Sequence, residues 1–131
     1  MPYSVDSNQK PIVADLRRLG FSVQVMSDYG KGLPDLLIAR RDLTIAVEIK
    51  TESASAYFYV GQLEWMANWS GGFCGFARKT NDVIAMFDRP NYYCLSRTEK
   101  DKLLAFVEKW KLDKKGNKVS VKLIDELLER K

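Results

Sequence analysis

The 131-residue sequence has no histidine and only two cysteines. Without histidine the commonest general base is missing, as is every Ser-His-Asp or Cys-His nucleophile arrangement. Any chemistry must then come from carboxylates, lysine or a metal. Cys74 sits in an apolar run, where a reduced cysteine behaves as a small hydrophobe, and with Cys94 it does not make a set of four zinc ligands. A catalytic metal would therefore have to be held by oxygen. The sequence also lacks an 18-residue apolar stretch and a basic segment leading into an apolar run, so membrane spanning and secretion have no warrant and the expected compartment is the cytoplasm. No repeat or low-complexity tract appears.

Apolar types make up 46% of the chain and charged types 29%, enough to bury a real core at the length of one ordinary domain. The formal charge of +4 is unevenly placed. Residues 1–97 hold eleven Lys and Arg against ten Asp and Glu, a net of +1, whereas residues 98–131 hold ten against seven, a net of +3. A positive balance is compatible with a polyanionic partner but does not identify one.

Val5 to Leu19 reads as a helix with Ile12, Val13, Leu16 and Leu19 on one stripe, Asp6 or Ser7 as its cap and Pro11 in its first turn. Gly20 ends it, and Phe21, Val23 and Val25 alternate as a strand. After a loop punctuated by Gly30, Gly32 and Pro34, Asp35 to Arg40 and Leu43 to Lys50 form two strands. Arg41-Asp42 is the only polar break between them. Thr51 to Val60 reads as a loop whose Tyr57, Phe58 and Tyr59 form an aromatic wall. Gln62 to Trp69 reads as a helix with Leu63, Met66 and Ala67 toward the core, and Phe73 to Ala77 as a strand. Asp82 to Phe87 is either a short helix capped by Thr80 or Asn81, or a final strand. Beyond Pro90, Ser96 with Glu99 has capping-box spacing, and Leu103, Phe106, Val107 and Trp110 follow at helical intervals. A turn at Lys114 to Asn117 precedes a last helix striped by Leu123, Ile124, Leu127 and Leu128. The expected organisation is a core over residues 1–97 and a helical extension over 98–131.

Antiparallel pairing about an Arg41-Asp42 turn opposes residues whose numbers add to 83, so Asp35 faces Glu48. Leu36, Ile38, Ile45 and Val47 fall on one face, and Asp35, Leu37, Ala39, Thr44, Ala46, Glu48 and Lys50 on the other. Two carboxylates on adjacent strands, with Cβ atoms about 5 Å apart, repel unless one is protonated or a divalent cation is shared. Mg²⁺ or Mn²⁺ suits an oxygen shell, and Lys50 adds a cation able to orient water or stabilise a phosphoryl oxygen. Taken singly, each of these residues reads as a strand-end charge. Together, with Leu36, Leu37, Val47 and Ile49 pressing them against a core, they read as a site.

Gly30-Lys31-Gly32-Leu33-Pro34-Asp35, followed thirteen residues after the aspartate by Glu48-Ile49-Lys50, resembles the PD-(D/E)xK nuclease superfamily. Within it the pattern is most similar to small stand-alone VRR-NUC proteins of phages and prophages, which are related to Holliday-junction resolvases. Asp6 to Leu19 and Gln62-Leu63-Glu64-Trp65 through Trp69-Ser70-Gly71 supply the flanking parts, and the likeness covers about residues 5–88. The resemblance implies a restriction-endonuclease-like αβββαβ core, with a central mixed sheet flanked by helices, plus the C-terminal helical extension. It implies Asp35, Glu48 and the Ile49 carbonyl as metal ligands, Lys50 as the catalytic lysine and Gln62 supporting the site. Gln9 stands where many relatives carry a glutamate, which leaves one-metal or two-metal chemistry open.

The implied activity is Mg²⁺- or Mn²⁺-dependent phosphodiester hydrolysis by a DNA endonuclease selective for Holliday junctions or other branched DNA, acting as a homodimer. Lys10, Arg17, Arg18 and Lys31 are candidates for backbone contacts, and Tyr57 and Tyr59 for stacking on exposed bases. Two rivals remain. One is a catalytically weak or inactive DNA-binding or scaffold protein of a phage replication or recombination system. The other is an accessory protein whose C-terminal helices bind a replication partner.

Overall fold

The structure, a computed structural model, describes residues 7–29 and 32–130. Its first helix, α1 (Gln9–Arg18), sets Ile12, Val13 and Leu16 on one buried face. Gly20 ends the helix at φ +94°, with its N–H donating to the Arg17 carbonyl at 3.1 Å and that of Phe21 to the Leu16 carbonyl at 3.0 Å. Glycine suits this left-handed stop because it has no Cβ to clash. The expected start at Val5 and the Asp6 cap lie outside the described residues. Ser7 is not the cap, since the helix begins at Gln9 with Asn8 before it. Leu19, expected on the buried stripe, is 51% exposed because it lies beyond the last helical residue.

The central sheet runs β1 (Ser22–Val25), β2 (Leu36–Arg40), β3 (Leu43–Ile49), β5 (Phe73–Ala77), with β4 (Tyr57–Tyr59) outside it. The first two pairings are antiparallel and β3 with β5 is parallel, the crossover carrying α2 (Val60–Asn68). The β2–β3 register is the one read from the turn: Leu36 opposes Val47 and Ile38 opposes Ile45. Arg41 takes φ 56° in that turn. A side chain there costs about 1–2 kcal/mol, and the strand pairing on both sides holds the residue in place.

The alternation of β3 divides two cores. Ile45, Val47 and Ile49 join Leu36 and Ile38 beneath α1 and α3 (Thr80–Asp88), with Val83 and Met86. On the opposite face, Ala46 joins Leu63, Met66, Cys74 and Phe76. This second core is closed by Leu103 and Val107 of α5 (Arg97–Leu112) and Ile124 of α6 (Val121–Leu127). A short α4 (Pro90–Tyr93) leads into α5, and β6 (Lys118–Ser120) pairs antiparallel with β4 as a separate two-stranded ribbon. The architecture is a mixed α/β fold with a central mixed sheet flanked by helices. Among the described residues, no helix is long and apolar enough to cross a membrane.

Several expectations change. Residues 51–60 are not all loop, because Tyr57–Tyr59 pairs with a strand sixty residues away. The turn after Lys114 leads into that strand before the last helix begins. The wall of three aromatics is split by strand alternation, Phe58 being fully buried and Tyr57 and Tyr59 half-buried. Asp82 to Phe87 resolves as helix, starting at Thr80 with Lys79 as the residue before it, so neither Thr80 nor Asn81 caps it. The helix lies so close over β5 that a Cβ on Gly75 would stand 3.1 Å from Met86 Cε. Leu37, expected to press on the charged residues, is 40% exposed on an open part of the sheet.

Candidate functional site

Asp35 stands one residue before β2 and Glu48 one residue before the end of β3, so the register that opposes Leu36 to Val47 brings the two acids together. The Asp35 N–H donates to Glu48 Oε1 at 3.2 Å, and the Ile49 N–H donates to Asp35 Oδ2 at 2.8 Å. The loop ahead of Asp35 is held against the start of α2. Gly32 has φ +82°, and a Cβ there would lie 3.1 Å from the Gly61 carbonyl oxygen. Only glycine meets both conditions.

Lys50 follows β3 on the same side as Glu48. Its Nζ lies 3.0 Å from Glu48 Oε2, 3.2 Å from Gln62 Oε1, and 5.0 Å from the centre of the Phe58 ring. Gln62, in the first turn of α2, binds both partners: its Nε2 donates to Glu48 Oε2 at 2.6 Å while its Oε1 accepts from Lys50. That same Oε1 accepts from the Tyr59 N–H at 2.9 Å, which fixes the amide's orientation through the backbone.

Glu48 is 1% exposed. Its carboxyl is pushed up to about 8, first by burial and next by the Asp35 charge, against the pull of Lys50 and the hydrogen bonds from Lys50 and the Asp35 N–H. The close Lys50 contact alone would suggest a simple ion pair. Loss of water from a buried carboxylate outweighs one neighbouring cation, so the upward direction is the one the geometry supports.

Gln9 is 4% exposed, and its Nε2 donates to Ser27 Oγ at 2.9 Å. Ser27 Oγ in turn donates to Asp35 Oδ1 at 3.4 Å, so Gln9 reaches the acids through a hydroxyl. Ser27 was not anticipated. The β1–β2 register, extended by one pair, sets Met26 beside Asp35, and Met26 N–H does donate to the Asp35 carbonyl at 2.6 Å. Pairing those two strands in sequence would have exposed Ser27. Asn8 was also missed. Its Nδ2 donates to the carbonyls of Lys50 at 3.1 Å and Arg78 at 2.8 Å, tying the start of α1 across the ends of β3 and β5.

The other candidates scatter. Lys10 is exposed on α1, and Arg17 is exposed but donates to the Val23 carbonyl at 2.8 Å. Arg18 pairs with Asp15 at 3.0 Å. Lys31 lies outside the described residues. Tyr57 and Tyr59 stand beside the site on β4, their hydroxyls 3.3 Å apart. Cys74 and Cys94 are free and buried; burial pushes the Cys74 thiol up and that of Cys94 to about 12, so neither is a thiolate nucleophile at neutral pH.

Comparison with protein-family models, with curated proteins and with solved structures gives no match to this chain. Among the described residues, no three Asp, Glu or Cys side chains converge in a group that could hold a metal ion. The donor set at the site is two carboxylates with neutral amide and hydroxyl oxygens nearby. All are hard donors that suit a divalent cation such as Mg²⁺ or Mn²⁺, and a cation beside Glu48 would relieve the cost of its buried charge.

Proposed function

We propose that this chain is a metal-dependent DNA endonuclease of the PD-(D/E)xK superfamily, VRR-NUC type, with a restriction-endonuclease-like core. It hydrolyses phosphodiesters in branched DNA such as Holliday junctions and works as a homodimer. The observation that carries this reading is the meeting of Asp35 and Glu48 at the ends of paired strands, with the Lys50 ammonium 3.0 Å from Glu48. A divalent cation held by Asp35 and Glu48 would supply positive charge to the phosphoryl and leaving oxygens.

The chain's own groups do the rest. Lys50 uses two N–H donors on Glu48 and Gln62, which leaves its third for a phosphate oxygen or the attacking water once substrate is bound. Gln62 holds that geometry, since its amide is anchored to the Tyr59 backbone. Gln9 and Ser27 fix the Asp35 carboxylate from the α1 side.

A second reading, a catalytically weak or inactive DNA-binding or scaffold protein, has the ligand count on its side. The described residues offer no third acid, and α1 brings a neutral amide instead. On that count it is better supported than the first.

Cleavage of junction, flap, nicked and linear DNA with Mg²⁺ or Mn²⁺, by wild type, Lys50→Ala and Asp35→Ala, separates the two. Under the first reading wild type cuts branched substrates, and each variant loses on the order of 100-fold or more. Undiminished cutting by both variants would overturn the site. DNA binding without cutting, together with calorimetry that detects no divalent cation, would establish the second reading.

A further inference from the structure

Part of the positive charge of residues 98–131 gathers at one turn. Near the end of α5, Lys109 pairs with Asp113 and Lys111 with Glu64. Lys114, Lys115 and Lys118 follow, all exposed and, among the described residues, without a carboxylate partner. The β4–β6 pairing delivers this turn to the candidate site. Lys118 opposes Tyr59, and the Asn117 carbonyl accepts from the Val60 N–H at 3.0 Å. Tyr59 is itself bonded to the Gln62 amide that holds Lys50.

Strand alternation turns Tyr57 and Tyr59 away from the core that Phe58 fills. Their rings meet edge to face at 5.3 Å, and Lys118 Nζ sits 4.6 Å from the centre of the Tyr57 ring. The Tyr57 phenol is drawn below its ordinary value, chiefly by the Tyr59 hydroxyl and, against some burial, by the ammonium groups of Lys118 and Lys50. An aromatic pair that packs no core, flanked by lysines and joined to Lys50 through the Tyr59 backbone and Gln62 by two hydrogen bonds, has the composition of a surface that stacks a base and neutralises its phosphates.

We propose that the β4–β6 ribbon is the strand-guiding platform of this protein: Tyr57 stacks an unpaired base that Tyr59 meets edge-on, Lys118 with Lys114 and Lys115 contacts the adjoining phosphates, and the ligand is single-stranded DNA or the unpaired segment of a branched one. This rests on the nucleic-acid partner common to both readings above, and not on cleavage.

The test is fluorescence anisotropy of a labelled oligothymidylate of about 20 nucleotides, with EDTA present so that nothing is cut. Full-length wild type is compared with Tyr57→Leu, Tyr57→Phe, Lys118→Ala and Lys118→Arg, each checked for an unchanged melting temperature. Tyr57→Leu is expected to weaken binding about ten-fold at every salt concentration, while Tyr57→Phe, which keeps the ring, binds as wild type. Lys118→Ala is expected to flatten the log–log salt dependence by about 0.7, and Lys118→Arg to restore it. Wild-type binding by both Tyr57→Leu and Lys118→Ala would overturn the proposal. So would a matched duplex bound as tightly, with the same losses, because the ribbon would then be a general polyanion patch. A protein that binds the strand through the ribbon but cuts no DNA defeats the nuclease reading alone, whereas cleavage that depends on Lys50 with ribbon variants binding normally defeats this one alone.

Discussion

Glu48 carries the largest electrostatic cost in the molecule's candidate site, because its carboxyl is buried and has the charge of Asp35 beside it. An acid whose pKa rises from 4.5 to about 8 on folding holds its proton more tightly in the folded state. Its effect on stability is nil below the unfolded value and grows unfavourable as pH rises through that window. Glu48→Gln removes the ionisation and, like the neutral acid, offers one carbonyl oxygen, which can face Lys50 and Gln62 or the Asp35 N–H but not both. In metal-free protein the variant should therefore match wild type near the lower end of the window and exceed it at about pH 8 by on the order of 1–3 kcal/mol. Urea titrations at the two pH values read this directly. A variant less stable at the higher pH would mean that the contact with Lys50 outweighs desolvation. Under the nuclease reading the same substitution should also abolish cleavage, which is the pattern expected where function keeps a destabilising charge in place.

Among the elements, α5 shows how far local rules reach. Ser96 Oγ accepts from the Glu99 N–H at 3.1 Å and Glu99 Oε1 accepts from the Ser96 N–H at 3.0 Å, the capping box that the spacing announced. Arg130, beyond α6, then binds both Glu99 oxygens at 2.9 Å and ties the last helix to the start of α5. Burial would push the Glu99 carboxyl up, but the hydrogen bonds from Arg130 and from Ser96 together with the guanidinium charge hold it below its ordinary 4.5. A lowered acid stabilises the fold above the unfolded value, and that contribution is lost as pH falls below 4.5 through the folded value. Wild type should accordingly lose about 1 kcal/mol across that acid window that Glu99→Gln does not lose, measured by urea midpoints. Equal acid slopes would contradict the assignment. The capping box and the Asp35–Glu48 pairing were legible because each is fixed by residues close in sequence or symmetric about one turn. The β4–β6 ribbon was not, since Tyr-Phe-Tyr shows no polar alternation and a three-residue strand owes its stability to a partner far along the chain. The link from Gln9 to Asp35 was hidden for a similar reason, as it depends on Ser27 and on how β1 pairs.

At the scale of the molecule, one sheet separates two cores that are built from different stretches of chain. The core under α1 and α3 is complete by Cys94, whereas the other draws Leu103, Val107, Val119, Val121, Ile124 and Leu128 from beyond residue 97. Burial of six such side chains contributes on the order of 10 kcal/mol, as much as the whole net stability of an ordinary domain. Deleting residues 98–131 would remove that burial, uncover Phe58, Leu63, Met66, Cys74 and Phe76, and strip β4 of its only strand partner among the described residues. The expected result is a chain that aggregates or lacks a cooperative thermal transition by circular dichroism, with strand binding lost and, under the nuclease reading, cleavage lost with it, because α2 carries Gln62 and β4 carries Tyr57 and Tyr59. A truncated chain that melts cooperatively and binds oligothymidylate as the full chain does would mean that the C-terminal elements are a separable appendage. Point substitution on the exposed ribbon avoids this collapse, since Lys118 contributes a side chain to the surface and none to the core. Strand binding and folding can be separated there and not by deletion.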